Sequence, residues 1–298
     1  MPELPEVTTT VNGLNSTIKN QTISDVWSDY FVQTANKRND NIKNKKFFLH
    51  FKKEIVGEKI KNTERRGKNI LIHLSHGKTI LIHMKMTGHL LYGKYEWDGK
   101  HWKSKEKNLR DPFNQFIHFI INFKNGKSLA FSDMRKFAKV TLFETAKNHK
   151  DLEILGPEAN DKKLNWQMLK KQILKRPMGR IKNVLMDQEV LAGIGNIYSD
   201  EILWDTAIHP ERKPLSLSPK DFQKILKSSR KILAHSISLG GDSMSDYRNI
   251  NGERGNYQKS HKVYKRNKEK CQKKGCQGII QRKVLGGRSA HFCPVHQK

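Results

Sequence analysis

Cysteine is scarce, acid is scarce, and long apolar runs are missing. The 298 residues hold 3 cysteines, none before Cys271. So few, bunched at one end, cannot form a disulfide framework, and they read as metal ligands in a reducing compartment. No stretch stays apolar over the ~20 residues that a membrane helix needs. No signal peptide precedes the opening Met-Pro. A cytoplasmic protein with no membrane partner is the expectation. Asp and Glu total 29 against 57 Lys and Arg, a formal net charge of +28. Such an imbalance points to a polyanionic partner, nucleic acid first. A lysine-biased composition could raise the total but would not cluster it. From Asn251 onward there are 13 basic residues and 2 acidic ones, Glu253 and Glu269.

The informative stretch is the first one, Met1-Pro2-Glu3-Leu4-Pro5-Glu6. Removal of an initiator Met ahead of a small residue would leave Pro2 with a free secondary amine. An α-amino group titrates near ~8, so a useful fraction is neutral at physiological pH. Such an amine can attack an electrophilic carbon and form an iminium. Glu3 and Glu6 are carboxylates within reach for proton transfer. Val7, Val11 and Leu14 repeat at helical spacing, and Pro5 suits a first turn. The helix dipole would then favour the neutral amine. Taken alone, the same residues also make an ordinary helix start.

Beyond about Asn20 the chain reads as β-rich. Strands are predicted at Thr22–Trp27, Phe47–Phe51, Asn69–Leu74, Lys78–His83, Phe116–Phe123, Ser128–Phe131 and Val140–Phe143. His76-Gly77 and Asn125-Gly126 are hairpin turns, and Tyr92 to Asp111 reads as a long surface loop. Leu155-Gly156-Pro157-Glu158 is linker punctuation. Helices are predicted at Asn165–Leu174, Leu185–Gln188, Asn196–Trp204 and Pro219–Leu239. Between the middle two, Gly193 and Gly195 allow a tight double turn, and Asn196 opens a helix whose N-terminus suits a phosphate. Cys271-x4-Cys276-x16-Cys293-x2-His296 has zinc-site spacing, with a hairpin turn at Gly286-Gly287. His291, on a strand two residues before Cys293, is the weaker alternative ligand.

Five segments in order carry a family resemblance. They are Met1–Val7; Arg65-Arg66-Gly67-Lys68; His83-Met84-Lys85-Met86-Thr87-Gly88 with Asp133-Met134-Arg135-Lys136-Phe137; Ile181–Gln188 with Ala192–Glu201; and the Cys/His tail. Together they resemble the bacterial formamidopyrimidine-DNA glycosylases and, less closely, their endonuclease VIII relatives. The resemblance implies an α+β fold: an N-terminal helix plus β-sandwich, a helical domain with a helix–two-turn–helix, and a C-terminal zinc β-hairpin. The expected domains are 1–150 (catalytic), 151–162 (linker), 163–262 (helical, with a base-capping loop near Asn249–Tyr257) and 263–298 (zinc finger).

By the same resemblance the chain is a bifunctional DNA glycosylase and AP lyase for oxidised purines. Pro2 is the nucleophile, Glu3 protonates the ribose ring oxygen, Lys68 is a general acid, and Glu6 and Glu201 support the site. Met86 fills the gap left by the flipped base, Phe137 wedges beside its partner and Arg135 reads the opposite cytosine. His83, Lys182, Asn196 and Arg288 touch phosphates, and Tyr264 follows the capping loop. One structural Zn2+ is held by Cys271, Cys276, Cys293 and His296. The partner is damaged double-stranded DNA, met by a monomer in the nucleoid-bearing cytoplasm. The family usually has Gly where this chain has Ala138, Cys-x2-Cys in place of Cys-x4-Cys, and Cys in place of His296. An endonuclease VIII-like enzyme for oxidised pyrimidines and a non-catalytic binder of damaged DNA remain alternatives.

Overall fold

The computed structural model describes residues 1–31, 40–145, 147 and 149–298. They fall into two compact units: Met1–Lys150 with Gly240–Asn256, and Asp151–Leu239 with Tyr257–Lys298. The sequence reading keeps 163–262 together, whereas the chain returns to the first unit at Gly240–Asn256.

The first unit begins with helix α1 (Leu4–Thr17), which buries Val7, Val11 and Leu14 as their spacing requires. Strand β1 (Ile23–Ser28) follows, then helix α2 (Lys45–Ile55). Here the expected strand Phe47–Phe51 is overturned. Asn44 caps α2 by accepting from the Phe47 N–H, and Phe48, Phe51 and Ile55 form one buried face. The aromatic run suggests a strand only while its lysine-rich flanks are ignored. Strands β2 (Ile60–Arg66), β3 (Asn69–Leu74), β4 (Lys78–His83) and β5 (His89–Gly93) come next. After them, Tyr92–Asp111 is not a plain loop. It contains a small hairpin, β6 (Glu96–Trp97) and β7 (Trp102–Lys103), whose Trp97 and Trp102 rings lie 5.3 and 5.9 Å from Trp27. Strands β8 (Ile117–Phe123), β9 (Ser128–Ser132) and β10 (Lys139–Glu144) complete two antiparallel sheets, ordered β1-β8-β9-β5 and β10-β4-β3-β2.

One core joins the sheets. It takes Phe119, Phe131 and Leu90 from the first, Ile70, Ile72, Ile80 and Val140 from the second, and the buried faces of α1 and α2. That is the sandwich the alternating strands predict. The first sheet is also covered on its other side, where Leu91, Ile120 and Ala130 pack with Leu109, Trp27 and Trp102.

His89, at the start of β5, is fully buried, with Nε2 2.9 Å from Asn114 Oδ1. Burial disfavours its charged form and lowers its pKa from 6.5 to about 4. The fold therefore binds fewer protons than the unfolded chain between those values, so His89 stabilises at neutral pH and that contribution fades as pH falls through the window. Urea unfolding should show up to about 3 kcal/mol more loss between pH 7 and pH 4 for the wild type than for His89→Gln. Equal pH slopes in the two proteins would contradict this.

The single turn α3 (Lys150–Glu153) lies where the second unit begins, and α4 (Trp166–Ile173), α5 (Ile181–Met186), α6 (Asn196–Thr206) and α7 (Pro219–Ser238) follow. Helix α5 begins four residues before the expected Leu185. Ser218 and Asp221 form a capping box at α7. The hairpin β11 (Gln281–Leu285) and β12 (Arg288–Phe292) turns at Gly286-Gly287, as expected.

Candidate functional site

In the first unit, Glu3 is the N-cap residue of α1 and is buried beside a buried Pro2. With Met1 in place the Pro2 nitrogen is an amide, and the amine exists once Met1 is removed. Glu6 Oε2 accepts the Glu3 N–H at 2.7 Å, half of a capping box. Its other oxygen accepts the Asp242 N–H at 2.7 Å. Gly241, at φ 83°, lies so close that a Cβ would come 2.9 Å from Glu6 Oε1, so glycine is required there. Tyr247 donates to the Glu6 carbonyl at 2.9 Å, and burial holds its hydroxyl protonated, well above the usual tyrosine range. Glu6 thus fixes the start of α1 to the segment at 240–256.

Lys68 is buried in the β2–β3 turn. Gly67 precedes it at φ 57°, as the first position of a tight hairpin turn demands. The register sets Asn69 opposite His83, and His83 opposite Lys139. The Lys68 turn and His83 therefore share one end of the second sheet. The Nδ1 of His83 accepts the Lys85 N–H at 3.0 Å.

Met86 is half-buried, while Arg135 and Phe137 are exposed. The guanidinium of Arg135 sits 4.4 Å from the Phe137 ring centre. Both loops are tied to a residue that the sequence reading left without a role, Asp133. Its carboxylate accepts from Thr87 Oγ1 at 2.5 Å, Tyr30 Oη at 2.8 Å and the Ala138 N–H at 2.9 Å. Ala138 itself is buried in the core.

In the second unit, Gln188 closes the double turn between α5 and α6. Its amide donates to the carbonyls of Met186 and Ile194 at 2.7 and 2.8 Å, and its oxygen accepts the Gly193 N–H at 3.0 Å. Asn196, the first residue of α6, is half-buried. Lys182 departs from its expected role. Its side chain is fully buried and ion-paired with the equally buried Asp200, with Ser199 Oγ a further 3.3 Å contact. An ammonium enclosed in this way does not face a phosphate. Asp200 Oδ2 also accepts the His291 N–H at 2.9 Å and lies 3.0 Å from its Nδ1, which joins α6 to β12. Arg288, at the hairpin turn, is exposed.

Glu201 accepts the backbone N–H groups of Lys262, Val263 and Tyr264 at 2.9 to 3.1 Å. Burial raises its pKa despite those bonds. Its role here is to fix the 262–264 backbone. The Tyr264 ring packs edge-on against His261 and His291 at 5.4 and 5.2 Å.

The sulfurs of Cys271, Cys276 and Cys293 lie within 4.8 Å of one another and could hold a metal ion. The Cys276–Cys293 pair is 3.6 Å apart, close to the roughly 3.8 Å between two thiolates on one tetrahedral zinc with 2.3 Å bonds. The backbone N–H groups of Gly278 and His296 point at sulfur, at 3.3 and 3.4 Å. The Gly278 N–H lowers the Cys276 pKa, while burial pushes Cys293 up to about 11. Among the described residues this group consists of the three cysteines, without His296. Its Nε2 is 2.7 Å from the Trp204 carbonyl, and its ring packs against Trp204.

Residues 1–140 match the formamidopyrimidine-DNA glycosylase N-terminal domain, and 155–248 match the formamidopyrimidine-DNA glycosylase H2TH domain. The chain belongs to the formamidopyrimidine-DNA glycosylase family. A family member from Pelotomaculum thermopropionicum is 34% identical over all of this chain and 99% of its own. That of Bacillus subtilis is 32% identical, with 98% of each chain covered. The Lactococcus lactis family protein solved with abasic-site DNA matches over 99% of both chains, with a TM-score of 0.81 and 29% identity. MutM solved with DNA carrying carbocyclic 8-oxo-G matches over all of both chains, also at 0.81 and 29%. No helix among the described residues is long and apolar enough to cross a membrane.

Proposed function

We propose that the chain excises oxidised purines from duplex DNA and cleaves the strand at the resulting site. The observation that carries this reading is the buried Pro2-Glu3 pair at the start of α1, held by Glu6 through two backbone amides. After Met1 removal the Pro2 nitrogen attacks C1′ of the damaged nucleotide, and the C1′–N bond to the base breaks. Lys68 supplies a proton to the departing base. The attached nitrogen gives up its proton, Glu3 protonates the ring oxygen, the C1′–O bond breaks, and the lone pair freed on Pro2 completes an iminium. That iminium acidifies C2′–H, and successive β- and δ-elimination expel the 3′ and 5′ phosphates. Met86 fills the space of the flipped base, Phe137 wedges beside its partner and Arg135 reads the opposite cytosine. His83, Asn196 and Arg288 contact phosphates, so binding weakens steeply with salt. The protein acts as a monomer in the cytoplasm.

Paired duplexes with 8-oxoguanine and thymine glycol test the lesion class. The expected result is a gapped product from the first at a much higher kcat/KM. Preference for thymine glycol would move the chain to the pyrimidine-specific relatives.

Zinc suits the three sulfurs, and we assign it there as one structural ion. His296 is the residue available for the fourth position, through Nδ1 if Nε2 keeps the Trp204 carbonyl, a common outer-shell pattern for ligating histidine. The metal would supply folding energy to the hairpin. Purified protein should carry one zinc per chain, and Cys276→Ser should lose it together with most duplex affinity. A metal-free protein with full affinity would refute the assignment.

A further inference from the structure

Asp133 is fully buried, yet no cation lies at ion-pair distance from it among the described residues. Lys43 is the cation whose charge it feels, from beyond contact distance, so its oxygens are satisfied directly by hydrogen bonds, and the three donors come from three separate places. Tyr30 follows β1, Thr87 lies in the β4–β5 turn, and Ala138 precedes β10. Burial, then the charge of Asp133, keep the Tyr30 hydroxyl protonated well above its usual range, so it stays a donor. Thr87 acts at both ends: its hydroxyl donates to Asp133 and accepts the Arg135 N–H at 3.2 Å. Lys136 takes a left-handed φ of 51° between Arg135 and Phe137, and its N–H returns to the Asp133 carbonyl at 3.0 Å. That turn leaves Arg135 and Phe137 exposed and in contact with each other.

We infer that Asp133, acting through Thr87, is a positioning residue that makes the Met86 turn and the Arg135–Phe137 turn enter the duplex as one rigid wedge. It touches no substrate. Its effect is to remove the independent motion of two loops, so their ordering is settled in the fold and not at the moment of binding. Without it each side chain could still reach the helix, but the guanidinium would not be held in register with the base it reads. The inference rests on the proposed roles of Met86, Arg135 and Phe137.

Thr87→Val tests it, because that change keeps shape while removing both hydroxyl bonds. Three readouts serve: kcat/KM with cytosine or adenine opposite 8-oxoguanine, 2-aminopurine fluorescence beside the opposite base, and borohydride trapping on a single-stranded abasic oligonucleotide. Loss of one bond to a charged group lowers opposite-base selectivity about tenfold. The fluorescence step should shrink, trapping on the single strand should not change, and Thr87→Ser should restore both affected signals. Unchanged selectivity and fluorescence in a folded Thr87→Val protein overturn the inference. Arg135→Ala and Phe137→Ala separate the two levels. If these also change nothing, the assignment of the wedge itself is wrong. If they abolish selectivity while Thr87→Val does not, only the role of Asp133 fails.

Discussion

Glu3→Gln slows ring opening, and with it strand cleavage of an 8-oxoguanine duplex, by about 10²- to 10⁴-fold, the range for losing a positioned proton donor. Glutamine keeps the length and the helix-capping oxygen, so α1 should remain in place. What it cannot do is give a proton to the ribose oxygen as the ring opens. An abasic sugar already equilibrates with its open aldehyde, which an amine can attack without that proton. The variant should therefore keep much more activity on a ready-made abasic site than on 8-oxoguanine. Single-turnover rates on the two substrates check this. Equal losses on both would show that Glu3 serves the amine and not the ring oxygen.

Lys182→Met lowers the stability of the second unit by roughly 3–5 kcal/mol, the cost of leaving one partner of a buried ion pair alone. Both side chains of the Lys182–Asp200 pair are fully enclosed. Removing the ammonium leaves a carboxylate that water cannot reach with His291 as its remaining partner. Adding Asp200→Leu should recover only part of the loss, because the His291 N–H then has no acceptor. Chemical unfolding of the three proteins measures both effects. A Lys182→Met protein as stable as wild type, but with weak DNA binding, would instead place Lys182 against a phosphate.

The sequence carried the sandwich, the double turn and the hairpin because each depends on local periodicity or turn chemistry. It misjudged α2 because a five-residue aromatic window is too short to show a 3.6-residue period. The wider Phe48, Phe51, Ile55 spacing does show it. The resemblance makes Lys182 a phosphate contact, and nothing in the sequence signals its ion pair, because Asp200 lies on the next helix. Glu6 holding Asp242, and Asp133 joining Thr87 to the Arg135 turn, are long-range bonds by single carboxylates. No local pattern announces such bonds in advance. His296 illustrates the converse. Its spacing from Cys293 is right for a ligand, but the Trp204 carbonyl competes for its ring.

The most direct measurement is to reduce the reacting enzyme–DNA complex with borohydride, digest it, and locate the modified peptide by mass spectrometry. The deoxyribose fragment should sit on the N-terminal peptide, bonded to the nitrogen of Pro2 with Met1 gone. A fragment attached to Lys68 or another lysine, or an active protein that retains Met1, would contradict the mechanism at its root.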